Sequence, residues 1–576
     1  APFNERKRLF DLPGSSWNDY DRTLISKGGG VYFRSDKDIP VSPELKKWLG
    51  IRYKSLDGES LIRYLLAAPV ELLWLGGIGT YIKAVAEKHE EVGDRSNDNV
   101  RVDAINLGAR VVGEGANLGF TQKARIEYSL RGGRINTDAV DNSAGVDTSD
   151  HEVNLKIFLT GLHKKNIIAD YQPLFISMTG EVCRQVLANN YAQSLCLSLE
   201  QMRSADNPSV FLQLADHLEA VGFFDRLVES FPKTKAILSR PGQIITRPEL
   251  AVLMAASKMY LTQQIESQAA LLHDECCECY LQAYFPDQVN EHYKNYLSAH
   301  PLANEIKATI VSNKIINQAG CSFLNLDSDN ENAVILDHVG CYLTFDRVLD
   351  GDALRLAIYA LDNKIAADKQ YYFLLQLENT LAGFCRWALL HNKKIRPIVK
   401  TIDCYKRYIQ DFEDYFNQLA SIQLEEQLEL YRQDGVPEEL AQRMVFISSL
   451  NDFPFIVSLS AETATDFVTV FKLFNEITEY LGLYKIYDQL AKMPPHDYWE
   501  QKVSTDLQAD IKRIIGLLIN NILLSKSSNC AEYFALPSEM QKLSRYQRIY
   551  QEINTVLPVN LMPYIALTKE LGKLVM

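Results

Sequence analysis

The sequence predicts a parallel α/β sheet, present only in part, followed by a large and mainly α-helical region. Three observations carry that expectation. Residues 1–160 alternate short β-branched or aromatic runs with helical patterns. Two of the apolar pieces, Val111-Val112 and Ile135 to Val140, run directly into small and amide residues. Beyond about residue 165 the apolar positions recur at spacings of three and four, the helical period.

Taken in order, Arg6 to Leu12 reads as a short helix stopped by Pro13-Gly14. The pattern from Asp19 to Ser26 ends at Gly28-Gly29-Gly30. Ser42-Pro43-Glu44-Leu45 starts another helix, with Ser as cap and Pro in the first turn. A helix over Glu59 to Ala67 precedes Pro69 to Leu75, which reads as a buried strand ending in Gly76-Gly77-Ile78-Gly79-Thr80. A Gly-Gly-x-Gly turn after a strand can bring backbone N–H groups close to a phosphate. The six-residue dinucleotide fingerprint is not met, because position 82 is Ile, so the residues alone indicate a tight strand-to-helix turn.

His89 to Asn106 is polar and helical in part, with Asp94, Asp98 and Asn99 on a solvated face. Val111 to Glu114 is a strand, Thr121 caps a helix to Leu130, and Arg134 to Val140 is a strand. From Ser149 the pattern is helical to about Lys165, with Asn154, Ile157 and Phe158 on one face. Strand, helix and strand in this rhythm give a Rossmann-like parallel sheet covered on both faces, of which only the later part is expected here.

The helical region is marked by the capping box Thr246-Arg-Pro-Glu249 ahead of Leu250, Leu253, Met254 and Leu261. Phe467, Val470, Phe474, Ile477 and Leu481 form a second stripe, stopped by Gly482. A short strand pair is expected near Val334 to Phe345, after a polar break at 327–332. The domain division is therefore 1–160 and 161–576, with a sub-boundary at 327–332.

The net charge of −13, from 60 basic and 73 acidic residues, argues against nucleic acid or an anionic membrane as the main partner. No apolar run reaches membrane-spanning length. The start, from Ala1, lacks a signal-peptide core and lacks Met, as expected of a piece from a longer polypeptide. Ten cysteines are too sparse for a disulfide framework and fit a reducing cytoplasm. In His273-Asp-Glu-Cys276-Cys277-Glu-Cys279 the residues His273 and Cys277 are placed to share a helix face, yet no second pair stands at finger-like spacing, so no metal is assigned. His151-Glu152 lacks a His four residues on, since position 155 is Leu, and is assigned to positioning the helix start or the adjacent loop.

The chemistry concentrates in residues 110–156. Gly115, Ala116, Ala144 and Gly145 leave room beside the backbone, and Asn117 and Asn142 each set a donor and an acceptor at a strand end, suited to carboxamide or ribose groups. The alternative is two tight turns whose Asn residues merely accept left-handed backbone angles.

Gly113-Glu-Gly-Ala-Asn-Leu-Gly119 followed by Asn136-Thr-Asp-Ala-Val-Asp-Asn-Ser-Ala-Gly-Val-Asp-Thr-Ser-Asp-His-Glu-Val-Asn154 resembles the late nucleotide-domain motifs of glutamate dehydrogenases, in particular the large NAD-specific bacterial class. Likeness to its helical region runs through Thr246 to Leu253, His300-Pro-Leu302 with Glu305-Ile306, and Asn317 to Phe323, so the resemblance covers essentially the whole chain, strongest at 70–160 and weaker after 400. The resemblance implies NAD as cofactor and glutamate and 2-oxoglutarate as substrates. It implies that the Leu72–Thr80 segment, with Gly76 and Gly77, lines the cofactor cleft, without a polar role for Leu75. Asn117 and Asn142 are then expected at the nicotinamide ribose or carboxamide. Ser149 is expected on the distal carboxylate of glutamate, with Val146 lining the same pocket. The catalytic Asp, the substrate-binding lysines and the glycine fingerprint belong to segments that precede this part in the family; Lys27, Lys54 and Lys83 match no such motif. No catalytic residue is therefore assigned here, the isolated chain is expected to be inactive, and its partners are the amino-terminal remainder of the polypeptide and further copies in a homo-oligomer. Two competing readings are another amino-acid dehydrogenase and a non-enzymatic helical scaffold with a degenerate nucleotide fold. The second would be favoured if Asn117 and Asn142 pointed into packed protein rather than a cleft.

Overall fold

The computed structural model describes residues 2–267, 269–324, 333–391, 393, 395, 397–416, 422–493, 498–556 and 560–576. They form two compact units, Ala1–Leu336 and Asp337–Met576.

The first unit carries the strands. Val70–Leu75 and Ala109–Glu114 pair in parallel, from Val70 opposite Ala109 to Leu75 opposite Glu114. Arg134 adds a single parallel bridge to Val111 on the outer side of the second strand. A smaller parallel pair joins Ile82–Lys83 to Val102–Asp103. Gln122–Leu130 covers one face: Ala124 and Tyr128 are buried with Leu66, Leu75, Val112, Phe120 and Ile135. The Tyr128 hydroxyl donates to the Ala109 carbonyl at 2.7 Å, tying the helix to the strand's start. Ser42, Thr121 and Thr246 cap the expected helices, Thr246 with the full capping box to Glu249.

Four expectations are corrected here. The Val70–Leu75 strand is buried on one side only, since Leu72 and Trp74 are 57% and 59% exposed. The strand read over Arg134–Val140 reduces to the bridge at Arg134, because a one-turn helix, Asp138–Asp141, begins at once. Asp138 and Asp141 both bond to the Glu114–Leu118 turn, and a spacing of three puts them on one side in a helix but on opposite sides in a strand. The following helix, Ser143–Lys164, starts six residues earlier than Ser149. Lastly, Val334 to Phe345 lies in a helix, Ala333–Val348, not in strands. Ile335, Leu336, Val339, Tyr342, Leu343 and Phe345 are all buried, and a helix buried around most of its girth has the same apolar run as a buried strand. The polar break at 327–332 lies outside the described residues.

A short antiparallel pair joins Ile39–Pro40 to Ser55–Leu56, and the elements after Ala109–Glu114 are helices, with a core in which Leu155, Phe158, Leu159 and Leu162 meet Met178, Val182, Leu281, Tyr284 and Phe285. The segment from His273 is not continuous helix: His273 precedes Asp274, which caps the Glu275–Tyr284 helix, so His273 and Cys277 do not share a helical face. Among the described residues no three His, Cys, Asp or Glu side chains are grouped to hold a metal ion.

The second unit is built of helices, and no single helix among the described residues is long and apolar enough to cross a membrane. Val470, Phe474, Ile477 and Leu481 are buried as the stripe requires, and Gly482 follows at φ 68°. Its interior holds a charged cluster. Arg355 donates to Asp346 at 2.6 Å and to Glu378 at 2.9 Å, and the Tyr342 hydroxyl donates to Glu378 at 3.0 Å.

Candidate functional site

The two asparagines, 25 positions apart in the sequence, are brought together at the carboxyl end of the Ala109–Glu114 strand, where Asn142 Nδ2 donates to Asn117 Oδ1. Neither backbone is left-handed: Asn142 has φ −109°, and in the first turn it is Leu118 that takes φ 63°. The turn-residue alternative therefore does not account for them. Asn117 is exposed and Asn142 half-buried, so the pair faces solvent rather than packed protein. With that bond made, Asn117 retains its amide donor and Asn142 its carbonyl acceptor, the complement of a primary carboxamide.

The turn that carries Asn117 is held by buried charge. Glu114, fully buried, receives both Nε and Nη2 of Arg125, at 2.7 and 2.9 Å, and accepts the Phe120 N–H at 3.0 Å. Arg125 also pairs with Asp138 at 2.9 Å, and Asp138 accepts the Leu118 N–H at 2.8 Å. Asp141 accepts the Glu114 N–H at 2.9 Å and Asn136 Nδ2 at 2.6 Å. Burial pushes the Glu114 carboxyl up and the Arg125 guanidinium opposes it. Burial draws the Arg125 guanidinium down, but the hydrogen bond and charge of Glu114 outweigh it. The turn and the Asp138–Asp141 helix are thus tied to each other. Arg247, from the capping box, contacts Asn136 and donates to the Ser194 carbonyl at 2.7 Å, joining this piece to the helical part.

Among the expected cofactor glycines, Gly76 and Gly77 are exposed, and a Cβ on either would meet no atom closer than 3.8 Å. The turn's steric demand falls on Gly79, at φ 140°, where a Cβ would lie 2.5 Å from Asn97 Nδ2. The turn is anchored by Asp94, which accepts the Thr80 N–H at 2.8 Å, and by Arg101, which donates to the Thr80 carbonyl at 2.8 Å. Asp94 and Asp98 are thus structural anchors rather than a solvated face, Asp98 pairing with Arg101 at 2.5 Å. Hydrogen bonds, first from Asn97, hold the Asp94 carboxyl down to about 2.

The room left by Gly115 is not open to a ligand. A Cβ there would come within 2.2 Å of the Trp74 ring, and one on Gly113 within 2.5 Å. The exposed indole therefore rests on these two residues at the edge of the site. Gly145, by contrast, has open space around it.

Val146 and Ser149 stand three apart on the Ser143–Lys164 helix, both exposed, Val146 at 74%. His151 and Asn154, further along the same helix, face inward. His151, assigned to the helix start, instead lies mid-helix, 2% exposed, stacked on Tyr284 at 4.3 Å and 13°. Burial lowers its pKa, against the pull of Asp147 and Asp150. Lys83 is no free base: it is 6% exposed and paired with Asp103. That pair lines a polar hollow of about 440 Å³ with Arg63, Lys88, His89 and Arg101, separate from the expected site residues.

The sequence reading missed Arg125, Asp138 and Asp141 as supports, although carboxylates three apart beside a Gly-rich turn were a usable signal. It also missed Tyr284, for which no local pattern pointed back across more than a hundred residues.

Known proteins match the chain along most of its length. The model of the family described as bacterial NAD-glutamate dehydrogenase, catalytic domain, matches residues 1–200, and that described as glutamate dehydrogenase, C-terminal, matches residues 242–573. The NAD-specific glutamate dehydrogenase of Halomonas elongata is 35% identical over 521 residues, 89% of this chain and 32% of the relative. That of Pseudomonas aeruginosa is 35% identical over 508 residues, 87% and 31% respectively, and that of Mycobacterium tuberculosis 34% over 537 residues, 90% and 33%. The chain spans about a third of the length of these curated relatives. With more than half of its residues matched by the carboxyl-terminal model and its first 200 by the catalytic one, the chain belongs to the bacterial NAD-glutamate dehydrogenase family.

Proposed function

We propose that the chain is the carboxyl-terminal portion of an NAD-dependent glutamate dehydrogenase of the cytoplasm, which converts L-glutamate, NAD and water to 2-oxoglutarate, ammonium and NADH. The observation that carries this reading is the solvent-facing Asn117–Asn142 pair at a parallel strand's carboxyl end. The strands at 70–75 and 109–114 are then the later part of a Rossmann-like domain. Bound NAD supplies the hydride acceptor. The amide pair would orient its carboxamide, donor to acceptor and acceptor to donor, with Gly76 and Gly77 beside it. The Ser149 hydroxyl would donate to the distal carboxylate of glutamate and Val146 would wall the same pocket. A lone hydroxyl is a weak carboxylate ligand, so the cationic and proton-transferring groups come from the preceding part of the polypeptide.

The test is NAD-dependent glutamate oxidation by the full-length polypeptide, followed by NADH absorbance. Asn142→Ala is expected to raise the KM for NAD about three- to tenfold, the worth of one hydrogen bond of about 0.5–1.5 kcal/mol. Ser149→Ala is expected to raise that for glutamate by a similar factor. If both variants fold and match the parent in both constants, the residues have no part in binding and the reading fails.

A further inference from the structure

We propose that Tyr284 is a positioning residue for the substrate-binding turn, holding Ser149 in place from the helical part of the chain through Asp150 and Asn154. The inference rests on the reading of Ser149 given above and extends it to a residue far outside the nucleotide-binding segment.

Tyr284 closes the Glu275–Tyr284 helix and is 8% exposed. Its hydroxyl donates to Asp150 Oδ2 at 2.8 Å and accepts from Asn154 Nδ2 at 2.8 Å. Its ring stacks on His151 at 4.3 Å, and Phe285 meets it edge-on at 5.1 Å. One side chain thus grips three residues of the turn that follows Ser149. Ser149 itself is exposed. The helix's rotation about its axis is what aims the Ser149 hydroxyl, and contacts at 150, 151 and 154 set that rotation.

The chemistry favours orientation over packing. A Phe would fill the same apolar space, stack on His151 and avoid burying a hydroxyl. The hydroxyl is satisfied in both its roles here, and both bonds go to the Ser143–Lys164 helix. Burial raises the Tyr284 pKa, so the phenol keeps its proton and remains a donor to Asp150. Asp150 is exposed and needs no buried partner for its own sake. His300 adds a second tether. Its Nδ1 accepts the Leu302 N–H at 3.1 Å, which leaves the proton on Nε2, and that nitrogen donates to the Asn154 carbonyl at 3.2 Å. The helical part therefore reaches the proposed glutamate pocket through two side chains that touch no substrate.

The experiment uses the full-length polypeptide with Tyr284→Phe, Asp150→Ala, the double variant, Ser149→Ala and Tyr546→Phe. Tyr546 is a buried tyrosine of the second unit whose hydroxyl donates to the Leu481 carbonyl at 2.7 Å, and it controls for the loss of a buried phenol. Tyr284→Phe is expected to raise the glutamate KM about three- to fivefold and by no more than Ser149→Ala does, to leave the NAD KM within twofold, and to be no worse when combined with Asp150→Ala. Tyr546→Phe should lower the melting temperature and leave both constants alone. A folded Tyr284→Phe with an unchanged glutamate KM, beside a Ser149→Ala that raises it, overturns the inference and spares the pocket. An unchanged glutamate KM in Ser149→Ala removes the pocket and the inference with it. Should Tyr284→Phe fail to fold, Asp150→Ala decides by the same criterion.

Discussion

Arg125→Met is expected to destabilise the first unit by about 3–5 kcal/mol and to abolish saturable NAD binding at ordinary concentrations. Methionine keeps much of the arginine stem's volume, so the loss isolates charge from packing. Glu114 is fully buried, and without Arg125 its carboxylate retains only the Phe120 N–H on that side. Asp138, 2.9 Å from Arg125, loses its cation as well. Both carboxylates hold the Asn117 turn, so the defect spreads to the proposed cofactor contact. The pH dependence has a definite sign. With the guanidinium gone, burial and the Asp138 charge both push the Glu114 carboxyl up. A group whose folded pKa is raised contributes stability that is present in acid and lost as pH rises through that pKa. The variant should therefore lie closest to the parent below the ordinary carboxyl value of 4.5 and fall away above it. Thermal melts from pH 4 to 8, with NAD titrations at each pH where the protein is folded, check both parts. A deficit that does not change with pH would contradict the assignment of the loss to charge.

Arg355→Met in the second unit should cost a similar amount, about 3–5 kcal/mol, for the same physical reason. Arg355, Asp346 and Glu378 are 2%, 1% and 5% exposed, so both buried acids would lose the guanidinium they pair with. In a unit of this size that corresponds to a fall of roughly 10 °C in melting temperature. Replacing the acids as well, with Asp346→Leu and Glu378→Leu, should return part of the loss, because an apolar cluster of similar volume carries no desolvation penalty. The parent's NAD and glutamate constants should persist below the melting temperature. Differential scanning calorimetry of the three proteins measures the loss and the recovery.

Much of this architecture is legible in the residues, and the failures have physical causes. The strand at Val70–Leu75, the cap at Thr121 and the capping box at Thr246 were each readable, because local propensity and tertiary structure agree there. The Arg134–Val140 segment misleads because Ile135 and Val140 are apolar and β-branched, while its conformation is decided by what Asp138 and Asp141 must reach. Ala333–Val348 misleads because its burial erases the amphipathic contrast that distinguishes a helix from a strand. Of the site, Asn117 and Asn142 stood out as amides among small residues, and their contact follows from the fold. Trp74 and Tyr284 did not stand out. An indole in an apolar run reads as core, and a tyrosine that braces a helix from another region leaves no periodic trace.

If Asn117 and Asn142 act together on the cofactor, as proposed, their contributions to NAD binding are not additive. A double-mutant cycle of Asn117→Ala, Asn142→Ala and the double variant in the full-length polypeptide, read as the KM for NAD, tests it most directly. Each single change is expected to raise that KM several-fold, the double change to do little more than the larger single, and the glutamate KM to stay within twofold. Three folded variants with the parent's KM for NAD would contradict it.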